Sequence, residues 1–191
     1  MKLQPDFYIH KNTRKLARQL LGKFLCTNLH GIYTSGIITE TEAYEGIHDK
    51  ASHAYGKRLT NRTKTMYEKG GIAYIYLCYG LHTMFNVVTH EKDEPHAILV
   101  RGIKPVDGIE QMEKRRKMPV TKKGFSSGPG TVCKALGIEM NHNGIQLSGN
   151  KIWIEDRSFK IKRSQILVTK RIGIDYAGDD VHRLNRFVLT T

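Results

Sequence analysis

Apolar runs are short throughout this 191-residue chain. None approaches the ~20 residues that carry a helix across a bilayer, so no membrane association is expected. Cysteine is scarce as well. Cys26, Cys78 and Cys133 are an odd number, and no two are close in sequence. That excludes a disulfide framework and a zinc-finger spacing, and it suits a reducing compartment. Cys78 and His82 stand four apart but make too small a ligand set, so neither a metal nor another cofactor is expected. The N-terminal "MKLQPDFYIHKNTRK" lacks the apolar core of a signal peptide, and the expected location is the cytoplasm. Internal repeats and low-complexity linkers are missing too, which points to one domain over residues 1–191.

Acid is the other shortage. The chain holds 18 Asp plus Glu against 31 Lys plus Arg, a formal net charge of +13. An excess of that size favours a polyanionic partner, nucleic acid first. The cations gather in three regions: the stretch with Lys57, Arg58, Arg62 and Lys64, the segment from Arg101 to Lys123, and the segment from Arg157 to Arg171. Charge runs on helices are commonly solvated faces, so "EKRRK" is a weak signal. The first region is stronger, because it adjoins the one acidic spot. Between Glu40 and Asp49 stand four acids and neither Lys nor Arg. Such a spot hinders simple phosphate binding. It makes sense where a carboxylate must act on something that surrounding cations hold.

Periodicity supplies the frame. Thr13 reads as a helix N-cap before "RKLARQLLG", with Leu16, Leu20 and Leu21 on one face and Gly22 as the stop. "KFLCTNLHGIYTSGIITETEAY" reads as a hairpin turning at His30-Gly31, its second strand running from Ile32 to about Tyr44. Residues 45–71 read as a long loop, the kind that is usually functional in a compact domain. Strands resume at "IAYIYLC", turn at Tyr79-Gly80 and return as "TMFNVVT"; "HAILVRGI" is another. Pro105 is expected just inside a helix whose body is "VDGIEQMEKRRK", and "SSGPGTVCKALGI" is expected to feed a short helix ended by Gly137. "KIWIE", "QILVTK" and "NRFVLT" are short strands. The expected class is α+β: a single mixed domain with a curved, mostly antiparallel sheet and flanking helices.

Strand alternation puts Ile38, Glu40, Glu42 and Tyr44 on one face of "IITETEAY". It also puts Tyr74 and Tyr76 on one face of their strand, with Asn86 across the hairpin. Tyr79 and Leu81 flank the turn glycine. Bases stack on aromatic rings, apolar side chains wedge into a duplex, and an enzyme acting on a base must take it out of the stack. A ring at a hairpin tip is suited to fill the gap. Core packing is the simpler reading for Tyr74; for Tyr76 both readings stand.

With these segments in place, the sequence resembles the alkyladenine (3-methyladenine) DNA glycosylase family of base excision repair. The carrying motifs are "ETEAYEG" with His53 nine residues after Tyr44, "YIYLCYGLHTMFN", "AILVRGIKP", "SSGPGTVCKALGI" and "RIGIDYAG". They stand in family order over roughly residues 14 to 188, and the ordered set is specific where single pieces are weak. The resemblance implies a role for each matching position. Glu42 would activate the attacking water and Arg101 would lie beside the reacting nucleotide. Tyr44 and His53 would form one wall of the base pocket and Tyr76 the other. Leu99 belongs to the same pocket, and Asn86 would disfavour guanine. Tyr79, with Leu81 beside it, would enter the duplex, and Arg58, Thr60, Arg62 and Lys64 would hold DNA. The implied partner is damaged double-stranded DNA, the implied form a monomer without metal. The sequence departs from the family pattern at Asn61, Thr131 and Asp179-Asp180. The rival reading is a catalytically silent, basic nucleic-acid-binding module, which would gain nothing from carboxylates near phosphates.

Overall fold

The computed structural model describes residues 1–190. Eight strands form one antiparallel sheet: β1 (Phe24–Leu29), β2 (Ile32–Tyr44), β3 (Ala73–Cys78), β4 (His82–Thr89), β5 (His96–Asp107), β6 (Ile152–Glu155), β7 (Ile166–Thr169) and β8 (Arg186–Leu189). The order β3-β4-β5-β2-β1-β6 is extended by β8, which pairs with β2 and β7. The central strand is β2. Residues 35–44 pair with β5 on one edge; on the other, residues 32–37 pair with β1 and residues 40–42 with β8. One strand thus bends between two neighbours, and the sheet curls around the core.

Four short helices flank the sheet: α1 (Pro5–Tyr8), α2 (Thr13–Leu20), α3 (Ile109–Arg116) and α4 (Pro129–Leu136). The apolar face read from the sequence is what α2 buries: Leu16, Ala17 and Leu20 are sealed, and Thr41 Oγ1 of β2 donates to the Ala17 carbonyl at 2.8 Å. Val132, Cys133, Ala135 and Leu136 of α4 join the same core, packed on β4 and β5. Fully burying one such leucine stabilises by about 1.5–3 kcal/mol. The fold is a single mixed α+β domain, as expected.

Three local expectations change. The cap of α2 is Asn12, whose side chain accepts from Lys15 N; the Thr13 hydroxyl turns inward to His96 Nδ1 at 2.8 Å. Pro105 lies on β5 opposite Gly36, and α3 begins only at Ile109, after Gly108 at φ 70°. Pairing with β2 continues on both sides of an irregularity, from Gly36 opposite Pro105 to Ser35 opposite Asp107, and carries the strand past the proline. Finally, Ile38 does not share the face of Glu40 and Glu42. The register slips on either side of Glu40, where Thr39 and then Arg101 have no opposite partner. Such a bulge shifts the alternation by one residue, and Ile38 joins Ala43 in the main core.

Candidate active site

The same bulge places the chemistry. Beyond it, Thr41 and Ala43 face α2 and the core, while Glu40, Glu42 and Tyr44 face the other way. Cross-strand register then lines up one transverse row: Arg186 of β8 opposite Glu42 of β2, Glu42 opposite Leu99 of β5, Leu99 opposite Asn86 of β4, and Asn86 opposite Tyr74 of β3. Directly opposed residues share a sheet face, so the carboxylate and the tyrosines lie on one side. Over this face opens a cleft of about 460 Å³, lined by Tyr44, His53, Tyr76, Asn86, Leu99 and Arg101 among others.

Glu42 is the floor beneath that cleft and has no exposed surface. Its Oε1 accepts the Ile172 backbone N–H at 2.9 Å and its Oε2 the Tyr44 hydroxyl at 2.8 Å. Arg101 is closer to Glu40: its Nε donates to Glu40 Oε1 at 2.8 Å, but stands 3.4 Å from Glu42. Burial raises the Glu42 pKa above the ordinary carboxylate value, against the opposing pull of Arg101, Ile172 N and Tyr44. Arg101 favours the ionised form, but at 3.4 Å its pull is outweighed by desolvation.

The aromatic side of the cleft is tightly linked. His53 Nδ1 bonds the Tyr74 hydroxyl at 2.9 Å, and the His53 ring meets Tyr76 edge-to-face at 4.6 Å, so His53 shares the wall of Tyr76 and not, as the family resemblance implied, that of Tyr44. Burial, helped by Arg62 and Arg58, lowers the His53 pKa to about 4, so the ring is neutral at physiological pH. The Arg62 guanidinium lies 4.6 Å from the Tyr76 ring centre and covers it. Across the cleft, the Arg171 guanidinium sits 4.9 Å from the Tyr44 ring centre. Asn86 Nδ2 is committed to the Tyr74 carbonyl at 3.1 Å. Tyr74 is fully buried, as the core reading required, and it also tethers His53.

The tip of the β3–β4 hairpin is the most exposed part of the rim. Tyr79 is 89% exposed and Leu81 79%. Tyr79 has φ 51°, and Gly80 follows at φ 71°. A bulky residue in the left-handed region is strained, and such strain gathers at functional sites. Arg58, Thr60, Arg62 and Lys64 are all exposed on the loop beside His53. Thr60 spends its hydroxyl locally: it accepts from Thr63 N at 3.2 Å, while Thr60 N donates to Thr63 Oγ1 at 2.8 Å. That reciprocal lock orders the loop around Asn61. Thr131 similarly bonds the Gly128 carbonyl at 2.6 Å, and Asp180 caps Lys50 N at 2.7 Å.

Residue-by-residue reading missed Arg186, Ile172, and the pair Asp49–Arg171, in which both partners are fully buried. Only "RIGIDYAG" signalled any of them, through Arg171 and Ile172. Arg186 carries no local signal, because its place depends on β8 pairing with β2.

The comparisons agree with this geometry. A family model described as methylpurine-DNA glycosylase (MPG) matches residues 6–191. A Clostridium perfringens protein is 45% identical over 99% of this chain and 96% of its own length. One from Chlamydia abortus is 47% identical over 92% and 91%, and one from Bacillus cereus 41% over 98% and 95%. All three are named, by inference, 3-methyladenine DNA glycosylases. The chain belongs to the methylpurine-DNA glycosylase family. No helix among the described residues is long and apolar enough to cross a membrane.

Proposed function

We propose that this protein hydrolyses the N-glycosidic bond of an alkylated purine, of the 3-methyladenine type, after extruding the nucleotide from duplex DNA. The observation that carries this reading is the transverse row: a sealed carboxylate beneath the same sheet face that bears the aromatic cleft. A buried carboxylate with a raised pKa is costly to keep, and an apolar residue of similar size would be cheaper for a mere binding module. A base poised above the ordinary carboxylate range explains the expense.

Glycosidic cleavage passes through an oxocarbenium-like sugar. Ionised Glu42 accepts a proton from water and stabilises the developing charge. Arg101 lines the cleft and donates to Glu42 Oε2 through Nη1 at 3.4 Å, which sets the carboxylate directly beneath the bound nucleotide. The purine stacks between Tyr44 on one side and the contacting pair His53 and Tyr76 on the other. Arg62 now covers the Tyr76 ring and must withdraw when the base enters. A purine alkylated on a ring nitrogen is cationic and leaves without much acid help. Each good aromatic contact favours that cation by roughly 0.5–2 kcal/mol, and neutral His53 does not oppose it. Neutral lesions such as hypoxanthine or ethenoadenine are therefore slower substrates. Tyr79 fills the vacated place in the duplex. We read the protein as a cytoplasmic monomer, its three unpaired cysteines suiting a reducing compartment.

The test is direct. Methylated duplex DNA incubated with the protein releases free purine, and Glu42→Gln does not. Wild-type protein that binds the duplex but releases no purine overturns the reading.

A further inference from the structure

Arg186 ends the transverse row, on the cleft face, with its side chain 20% exposed. Its Nε donates to Glu40 Oε1 at 2.6 Å, the same oxygen that receives Arg101 Nε at 2.8 Å. The two terminal amino groups of Arg186 have no partner among the described residues, and neither is sealed from solvent. A structural ion pair is built differently. Arg171 engages Asp49 through both terminal nitrogens and both carboxylate oxygens. The end-on contact of Arg186 instead fixes the side chain at Nε and leaves the fork open, the geometry that takes an oxyanion through two parallel bonds. Glu40 ties together two guanidinium groups that would otherwise repel each other.

Position along the row identifies the anion. Tyr74 and Asn86 lie at the base end, and Glu42 lies where the sugar bond must be attacked. Arg186 comes next in the same direction. Base, sugar and phosphate follow that order in a nucleotide. We propose, resting on the glycosylase reading above, that Arg101 and Arg186, joined through Glu40, form a phosphate-binding subsite for the phosphodiester flanking the extruded nucleotide. Glu40 is then a positioning residue, and Arg186 a substrate contact.

The experiment uses lesion duplexes carrying one neutral methylphosphonate at each flanking phosphate in turn, bound by the full chain in the Glu42→Gln background so that substrate stays intact. Affinity is measured from low to moderate salt. At one phosphate position, neutralisation weakens binding when Arg186 is present and has no effect in Arg186→Ala. In the unmodified duplex, Arg186→Ala lowers the slope of log affinity against log salt by ~0.9, the value for one lost phosphate contact on B-form DNA. Arg186→Gln, which keeps an N–H for Glu40 but no charge, gives the same result if the alanine variant does not fold. An unchanged slope together with unchanged sensitivity at every flanking phosphate overturns the subsite. A wild-type protein that releases no purine but shows the Arg186-dependent phosphate defeats the enzymatic reading alone.

Discussion

Two carboxylates in this molecule are fully buried beside an arginine, and their pKa values are displaced in opposite directions. Asp49 lies below its ordinary pKa and Glu42 above. Burial raises both, so burial does not separate them. The donors do. Asp49 receives both terminal nitrogens of Arg171 and the backbone N–H groups of Glu45 and Ala51. Every oxygen of Asp49 is occupied, and the pair ties the loop after β2 to the segment that carries Ile172. Glu42 receives one backbone N–H, one tyrosine hydroxyl and an arginine at 3.4 Å. It is undersupplied, and an undersupplied carboxylate keeps basicity and a lone pair for water. Saturation makes the first a structural pair; shortage is what the general-base role proposed for the second requires.

The contrast breaks most sharply at Glu42. Glu42→Gln should lower single-turnover excision by ~10²–10⁴-fold, the usual weight of a general base, while lesion-duplex binding persists. A variant cleaving at wild-type rate removes Glu42 from the chemistry. Next in size, Asp49→Asn leaves Arg171 buried and unpaired, which should cost about 3–5 kcal/mol in denaturant unfolding. A change below ~1 kcal/mol would mean the pair is not the brace inferred here.

The two groups should also respond oppositely to pH. Asp49, with its folded pKa lowered, contributes stability above its unfolded pKa and loses it as pH falls. Glu42, with its folded pKa raised, contributes below its unfolded pKa and loses that contribution as pH rises through the folded value. Glu42→Gln should thus be at least as stable as wild type at neutral pH. The acid limb of the excision profile should lie above the ~4.3 of an ordinary glutamate. An acid limb at the ordinary value contradicts the pKa assignment. The smallest stability effect belongs to the hairpin tip. Tyr79→Ser should change unfolding free energy by less than ~0.5 kcal/mol and still weaken lesion binding. A melted variant would show that the ring packs rather than probes.

What could be read in advance was local. The bounds of β2, the His30-Gly31 and Tyr79-Gly80 turns and the Gly137 stop depend on neighbours in sequence, and they came out as expected. Family motifs pointed to Glu42, Tyr44, His53, Tyr76 and Arg101, all of which the fold gathers at the cleft or beneath it. The misses share a different cause. Pro105 continues a strand because β2 holds it there, and Ile38 changes face because of a bulge that only the paired strands define. Arg186 stands opposite Glu42 from far along the chain, through a ladder that no periodicity announces. The raised pKa of Glu42 follows from its burial, which Arg101 at 3.4 Å does not offset, and both are tertiary geometry.

The transverse row draws one side chain from each of five strands, β8, β2, β5, β4 and β3. No smaller fragment holds a half-working version of it. A chain in which β8 has yet to pair with β2 therefore lacks the Arg186 end of the row, and Glu40 and Glu42 are left with an open flank.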